Sequence, residues 1–219
     1  MQRPTAIAAA AAGALFFLGA AEVAVHAQTL GPWSPVPKIL ANVPAETLPA
    51  QPETTRIVWR GADLDGDGQA DIADPTGQAP RGDDAYGEGR FHARRDGGER
   101  QHEGVDYVAT PGQPVEAPIS GYVAKIGFAY PDDQTLRYIE IENPALHLTA
   151  RVFYVDPDVA VGDAVAVGHP IGHAHTLLKR YPRGMTNHVH LELANRAGRK
   201  LDAETLITAR AETTTLSAD

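Results

Sequence analysis

The chain has 219 residues, a formal net charge of −9 and no cysteine. The lack of cysteine excludes disulfides and thiolate metal ligands. Phosphate neutralisation by basic clusters supplies most nucleic-acid affinity, so an acidic chain without such clusters is not expected to bind nucleic acid. The length fits one core domain with an extension.

The N-terminus is predicted to be a secretory signal peptide. An Ala-, Leu- and Phe-rich run covers residues 6–21, and Val25-His26-Ala27 is a small-residue cleavage pattern. Residues 1–27 are therefore expected to be removed, which leaves no stable membrane span and places the protein in a periplasm or outside the cell. The alternative is an uncleaved anchor, because the apolar run is almost long enough to cross a bilayer.

Residues 28–88 are predicted to form an irregular extension, rich in proline over 28–60 and in Asp and Gly over 61–88. The segment 63–74 places carboxylates at positions 1, 3, 5, 9 and 12 of a loop, with glycine at position 6. This is the ligand pattern of an EF-hand-type calcium loop, in which position 7 offers a backbone carbonyl. The candidate Ca2+ ligands are Asp63, Asp65, Asp67, Gln69, Asp71 and Asp74. An acidic solvated linker is the alternative.

Residues 89–205 are predicted to form an all-β domain, an antiparallel β-sandwich or open barrel. Short alternating runs are separated by turn residues every eight to twelve positions. The predicted strands are Gly121–Gly127, Arg137–Glu142, Leu148–Val155, Val161–Val167 and His188–Leu193. A short helix is predicted over Asp202–Ile207, with Asp202 as its N-cap. Residues 206–219 are predicted to be a polar tail that is frayed from Ala209 onward.

Two fragments of this domain together predict a zinc site. His102 and Asp106 lie in His-Glu-Gly-Val-Asp, and His188-Val-His190 lies in an alternating run in which residues two apart share a face. Zinc binds nitrogen and oxygen ligands tetrahedrally, and a catalytic zinc keeps its fourth position for water. His102, Asp106 and one of the two later histidines would fill three positions. The remaining histidine would then be free for proton transfer.

The ordered motifs resemble the lysostaphin/LytM-type zinc metallopeptidase family. The stretch from Gly89 to Asp106 is similar to the opening of that family, and the glycine turns at Gly121 and Gly162 continue the similarity. The sequence His-Val-His-Leu-Glu-Leu closes it, so that the resemblance covers about residues 89–195. Several motifs in the expected order make this resemblance specific.

The resemblance implies a fold, a cofactor and roles for individual residues. His102, Asp106 and His190 would be the ligands of Zn2+, and His188 would be the catalytic base. Peptidoglycan peptides would be the substrate, since such enzymes cut peptide cross-links in the cell wall. Arg95 matches a place where family members often carry arginine near the cleft, which suggests a contact with a substrate carboxylate. A surface salt bridge is the alternative role for Arg95.

One position departs from the family pattern. Active members carry a second catalytic histidine in a Tyr-Ala-His-Leu strand, and Tyr154 takes its place here. Together with residues 180–184, this resembles the animal branch called leukocyte cell-derived chemotaxin, which keeps the zinc site and is thought not to be a peptidase. A phenol can still donate a hydrogen bond to an oxyanion, so the expected function is an extracytoplasmic zinc metallopeptidase. The alternative is a catalytically impaired zinc-binding module that binds peptidoglycan or regulates another wall hydrolase.

Overall fold

The structure is a computed structural model that describes residues 53–215. Its elements are β1 Glu53–Gly61, β2 Arg94–Arg95, β3 Arg100–Gln101, β4 Val105–Val108, β5 Pro114–Glu116, β6 Gly121–Tyr130, β7 Asp133–Asn143, β8 Leu148–Phe153, β9 Val155–Pro157, β10 Ala164–Val165, β11 Pro170–Ala174, β12 His188–Asn195, β13 Lys200–Leu201, α1 Ala203–Leu206 and β14 Ile207–Thr215. The predicted signal peptide lies outside the described residues. Within residues 53–215, no helix has the length and apolar character needed to cross a bilayer.

A curled antiparallel sheet carries most of the long strands. Its strands run in the order β10-β6-β7-β8-β12, and the far edge of β12 pairs first with β4 and then with β13. A second sheet has the order β5-β11-β9, and β2 pairs with β3. The predicted all-β antiparallel class is therefore confirmed.

The core lies between the large sheet and the three-stranded sheet. Along β12, Val189, Leu191 and Leu193 are fully buried in it, whereas His190 lies on the opposite, partly open face. Full burial of such an aliphatic side chain contributes roughly 1.5–3 kcal/mol. The alternation of β12 thus fixes which face is core and leaves the other face for polar side chains.

Two predicted strands are interrupted or shortened in the structure, whereas the other three extend beyond their predicted bounds. The predicted strand Leu148–Val155 is interrupted at Tyr154, whose φ of 66° lies in the left-handed region. Such a conformation costs roughly 1–3 kcal/mol in a residue other than glycine. The predicted strand Val161–Val167 is reduced to β10, because a turn with Gly162 at a φ of 97° takes up its first part.

The prediction of a frayed tail from Ala209 is wrong for the residues up to Thr215. These residues form β14, which pairs with β1 from Glu53 to Gly61 in an antiparallel ribbon. Thr54 pairs with Thr214 and Thr55 with Thr213 across the ribbon, and the hydroxyls of Thr55 and Thr213 lie 3.1 Å apart. The polar composition was typical of a tail, but β-branched residues also favour a strand when a partner is present.

The extension is anchored to the core through the last residues of the acidic loop 63–74. Ile72 is fully buried and forms a bridge with Ile119. Asp74 follows it and is 5% exposed; its Oδ1 accepts hydrogen bonds from Thr76 and Gly77. Its Oδ2 has no hydrogen-bond partner among residues 53–215. A buried, half-satisfied carboxyl group is expected to reduce the stability of the fold.

We expect the Asp74→Asn substitution to stabilise the protein at pH 7. Burial raises the pKa of Asp74 from its usual value of 3.8 to about 6, against the opposing hydrogen bonds from Thr76. The folded chain therefore binds more protons than the unfolded chain between these values, and the free energy of unfolding falls as the pH rises from about 4 to about 6. A shift of this size corresponds to a loss on the order of 3 kcal/mol. Asparagine keeps the accepting Oδ1 and removes the charge.

The measurement is urea unfolding at pH 4.5 and pH 7. Asp74→Asn should raise the free energy of unfolding at pH 7 and reduce the difference in that free energy between the two pH values. The exposed Asp83→Asn is the matched control and should change neither. An Asp74→Asn protein with the wild-type pH dependence would contradict this account.

Candidate metal centre

The antiparallel pairing of β4 with β12 brings the motif of His102 and Asp106 next to the motif of His188 and His190. Asp106 is the direct cross-strand partner of His190, and His102 lies just before β4. Gly104 allows this approach, because a Cβ there would lie 2.2 Å from the Leu191 carbonyl oxygen and 2.8 Å from Cε1 of His190. The glycine in His-Glu-Gly-Val-Asp is therefore required by close packing against β12.

Three side chains converge on one point in the open face of the large sheet. The Nε2 of His102 lies 2.9 Å from Nδ1 of His190 and 3.1 Å from Oδ1 of Asp106. The Nδ1 of His190 lies 2.8 Å from the same Asp106 oxygen. Neighbouring ligands of a tetrahedral zinc ion are about 3.3 Å apart, given metal–ligand distances near 2.0 Å. The three donor atoms therefore fit a zinc ion.

The outer nitrogen of each imidazole is held by an acceptor. The Nδ1–H of His102 donates to the Arg90 carbonyl at 2.8 Å, and the Nδ1–H of His188 donates to the Thr186 carbonyl at 2.7 Å. The Nε2–H of His190 faces Glu192 at 3.5 Å. Because carbonyl and carboxylate oxygens can only accept, the inner nitrogen carries the lone pair whenever the ring is neutral.

His188 lies beside the cluster and outside the group of converging donors. Its Nε2 is 3.6 Å from Oδ1 of Asp106, and its side chain is buried. Burial lowers the pKa of His188 further than the Asp106 carboxylate raises it, so the ring is neutral at neutral pH. A neutral imidazole with a free lone pair at this position can accept a proton.

The charge of the cluster is set by the Asp106 carboxylate. Burial opposes its ionised form, but hydrogen bonds from His102 and His190 outweigh burial and hold the pKa of Asp106 well below its usual range. For His190, burial likewise opposes the charge, yet the bond to Asp106 raises its pKa to about 9. The metal-free cluster therefore holds a proton between its donors, and a metal ion would displace that proton.

The second oxygen of Asp106 is held by arginines. Arg81 donates to Oδ2 from Nη2 at 2.8 Å and from Nε at 3.3 Å, and it also pairs with Asp84 at 2.6 Å. The guanidinium of Arg95 lies 3.8 Å from the same oxygen. No motif in the sequence marks Arg81, because a lone arginine in an Asp- and Gly-rich stretch looks like a solvated charge.

Glu192 contacts His190 and helps to orient this imidazole in the cluster. It receives the Nε2–H of His190, and the ammonium of Lys200 donates to its second oxygen at 2.5 Å. Burial raises the pKa of Glu192, but the bonds from His190 and Lys200 outweigh it and lower the pKa to about 2. The spacing of two residues from His190 within one strand was a usable signal for this contact.

A cavity of about 440 Å³ opens over the cluster. Its wall includes Arg95 and a row of tyrosines: Tyr86, Tyr130, Tyr154 and Tyr181. Tyr154 is edge-on to His188, with ring centroids 5.4 Å apart and an angle of 84° between the planes. The predicted catalytic and substrate-binding positions therefore line the same cavity as the candidate zinc ligands.

The candidate calcium ligands are brought together only in part. Carboxylate oxygens of Asp63, Asp65 and Asp71 lie within 4.8 Å of one another. Asp67 lies outside this group, and its Oδ1 accepts the backbone N–H of Gln69. Asp74, the expected twelfth-position ligand, is instead buried in the turn that follows the loop.

Comparison with known proteins gives a consistent result. Residues 100–203 match peptidase family M23. Leukocyte cell-derived chemotaxin-2 of Mus musculus is 30% identical over 114 residues, which cover 50% of this chain and 69% of that protein. The solution structure of lysostaphin is 20% identical, with a TM-score of 0.43 and coverage of 57% of this chain and 51% of lysostaphin. A zinc-containing peptidase from Vibrio cholerae is 24% identical, with a TM-score of 0.44 and coverage of 59% and 37%.

The chain spans about half the length of the lysostaphin chain that it matches. It covers more than two thirds of the murine relative, in agreement with the family match over the residues that carry the metal cluster. The resemblance expected from the ordered motifs is confirmed: the chain belongs to peptidase family M23.

Proposed function

We propose that the protein is an extracytoplasmic zinc metallopeptidase that hydrolyses peptide bonds of peptidoglycan cross-links. The observation that carries the proposal is the convergence of two imidazole nitrogens and one carboxylate oxygen within about 3 Å. Such a group needs a cation at its centre, and nitrogen and oxygen donors in this number suit a catalytic zinc. Bound zinc supplies Lewis acidity and lowers the pKa of water.

In this proposal His102, Asp106 and His190 hold the metal, and His188 is the general base. The Thr186 carbonyl fixes the ring of His188 so that Nε2 faces the cluster. His188 would take a proton from the attacking water and pass it to the leaving amine. Tyr154 would donate a hydrogen bond to the oxygen of the scissile carbonyl as negative charge develops there.

Arg95 is proposed to bind a carboxylate of the substrate. Its guanidinium is largely buried in the cavity wall, and its Nη2 donates to the Glu88 carbonyl at 2.7 Å. The nearest carboxylate, Asp106, is already held by two shorter bonds from Arg81. Within residues 53–215, no carboxylate pairs with Arg95 alone. A partly desolvated guanidinium of this kind favours the binding of a peptide that carries a free acidic group.

Digestion of purified sacculi by the zinc-loaded protein tests this function. New amino termini and soluble muropeptides should appear, and a chelator or His102→Ala should stop their release. The matched control is His173→Ala, which removes a half-exposed histidine paired with Asp158 outside the cavity. Binding to sacculi without any release, across several cross-link chemistries, would support the alternative of a non-catalytic zinc module.

For the acidic loop we propose a calcium site built on Asp63, Asp65 and Asp71. Isothermal titration in chelated buffer should show calcium binding that disappears in Asp63→Ala/Asp65→Ala, since two of three clustered carboxylates are then lost. Asp83→Asn is the matched acidic control and should bind as the wild type does. An identical isotherm for the double variant would leave a solvated acidic loop.

A further inference from the structure

Three phenols form a hydrogen-bonded row along the cavity wall. The hydroxyl of Tyr130 lies 2.9 Å from that of Tyr154 and 2.7 Å from that of Tyr181. Three phenols carry three protons, and the two bonds between them use two. One proton is therefore left over: on Tyr154 or on Tyr181 if both bonds run in the same direction along the row, and on Tyr130 if both end phenols donate to it.

Arg180 determines which end donates. Its guanidinium lies over the ring of Tyr130, 3.8 Å from the centroid. An ion pair with Asp132 at 3.3 Å holds Arg180 there. A positive charge at this end of the row disfavours a phenol proton directed toward it, so the Tyr181 proton goes to Tyr130. Among residues 53–215, the Tyr130 hydroxyl has hydrogen-bond contacts with these two phenols only, so its own proton goes to Tyr154 and the spare proton is on Tyr154.

The backbone of Tyr154 explains how its ring reaches the cavity. The residue lies between β8 and β9, at the junction of the two sheets, with its φ of 66°. Its N–H donates to the Arg137 carbonyl and its carbonyl accepts from the N–H of His175, both at 2.7 Å. One backbone bond thus goes to β7 and the other to the segment after β11. The residue is fixed on both sides.

We propose that Tyr130 and Tyr181 are positioning residues that hold the Tyr154 phenol as a hydrogen-bond donor directed into the cavity. A hydroxyl that accepts a hydrogen bond becomes a stronger donor, because the chain of bonds polarises each member. This inference rests on the proposed peptidase function, in which that donor meets the oxyanion. It assigns to the row a task that packing alone would not require.

Packing is the competing explanation, since Tyr181 also contacts Tyr86 edge-on at 5.2 Å. The two are separated by a double-mutant cycle of wild type, Tyr130→Phe, Tyr154→Phe and the double variant, all zinc-loaded. The readout is the affinity for the phosphinic isostere of alanyl-alanine, whose tetrahedral anion resembles the transition state. Alanyl-alanine itself reports ground-state binding. Tyr122→Phe, which removes a phenol bonded to Glu142 outside the cavity, is the matched control.

Tyr154→Phe should weaken phosphinate binding by on the order of a hundredfold. Tyr130→Phe should weaken it by roughly threefold to tenfold, the value of one hydrogen bond, and should have no further effect in the Tyr154→Phe background. Zinc content and alanyl-alanine affinity should stay constant. The inference is overturned if Tyr130→Phe has the same effect in both backgrounds, if it has none, or if the wild type does not bind the phosphinate.

These readouts need no turnover. A wild type that shows the expected cycle but releases no peptide from sacculi would therefore refute the proposed function and leave the role of the row in place. Conversely, peptide release together with an additive cycle would refute the role of the row alone.

Discussion

Replacing His102 or Asp106 by alanine is expected to abolish zinc binding, whereas His188→Ala should retain about one zinc ion per chain. The reason is geometric: donor atoms of the first two residues and of His190 converge, while Nε2 of His188 lies 3.6 Å from Asp106. Even the loss of an outer contact to a ligand costs roughly tenfold to a hundredfold in metal affinity, so the loss of a ligand costs more. Metal analysis after desalting gives the ratio of zinc to protein chain.

Two further variants make this prediction specific. His190→Ala should lose zinc as His102→Ala does, and His173→Ala should keep it. Equal loss in His188→Ala and His190→Ala would overturn the division of roles between the two histidines. Zinc binding should also weaken as the pH falls, because the raised pKa of His190 means that the metal must displace a proton from it.

Tyr154→Phe should remove most of the turnover of muropeptides and leave zinc bound. The side chain is partly buried, and this burial together with the neighbouring Tyr130 raises the pKa of the phenol well above its usual value, so it stays protonated and can donate near neutral pH. Phenylalanine keeps the ring and removes only the donor. Loss of one oxyanion donor costs on the order of a hundredfold or more in kcat, which a steady-state assay on sacculi detects readily.

The reverse substitution decides between the two classes of function. Tyr154→His restores the residue that the active family carries at this position. If the wild type releases nothing and Tyr154→His gains activity, the protein is a binding module that lost a catalytic group. If the wild type is active and Tyr154→His is no more active, the phenol performs the task of that imidazole.

The sequence was most informative for β12, because this strand carries both core residues and candidate site residues. The alternation around His188 and His190 predicted β12 and the face that the two histidines share. The N-cap at Asp202 was also predictable, and its Oδ1 accepts the N–H of Glu204 at 3.0 Å. Both signals are local and depend on side-chain period or on the type of the capping residue.

What could not be predicted depends on pairing between distant segments. Arg81 contacts Asp106 across 25 positions, and it precedes the family match over residues 100–203. The hydroxyl row joins Tyr130 to Tyr181 across 51 positions, with nothing in either sequence context to mark it. Asp74 fitted the twelfth position of a calcium loop, but the burial of Ile72 beside it draws the chain into the core.

The ribbon of β1 and β14 has a consequence for the order of folding. Glu53 pairs with Thr215, so the ribbon joins the two ends of the described chain and closes a long loop between them. Its strands are mostly exposed and bury little apolar surface. Closing so long a loop costs more entropy than forming the hairpins of the large sheet, so the ribbon assembles last and opens first. Its opening breaks none of the pairings among β4, β8 and β12. Local unfolding of this ribbon therefore leaves the metal cluster assembled.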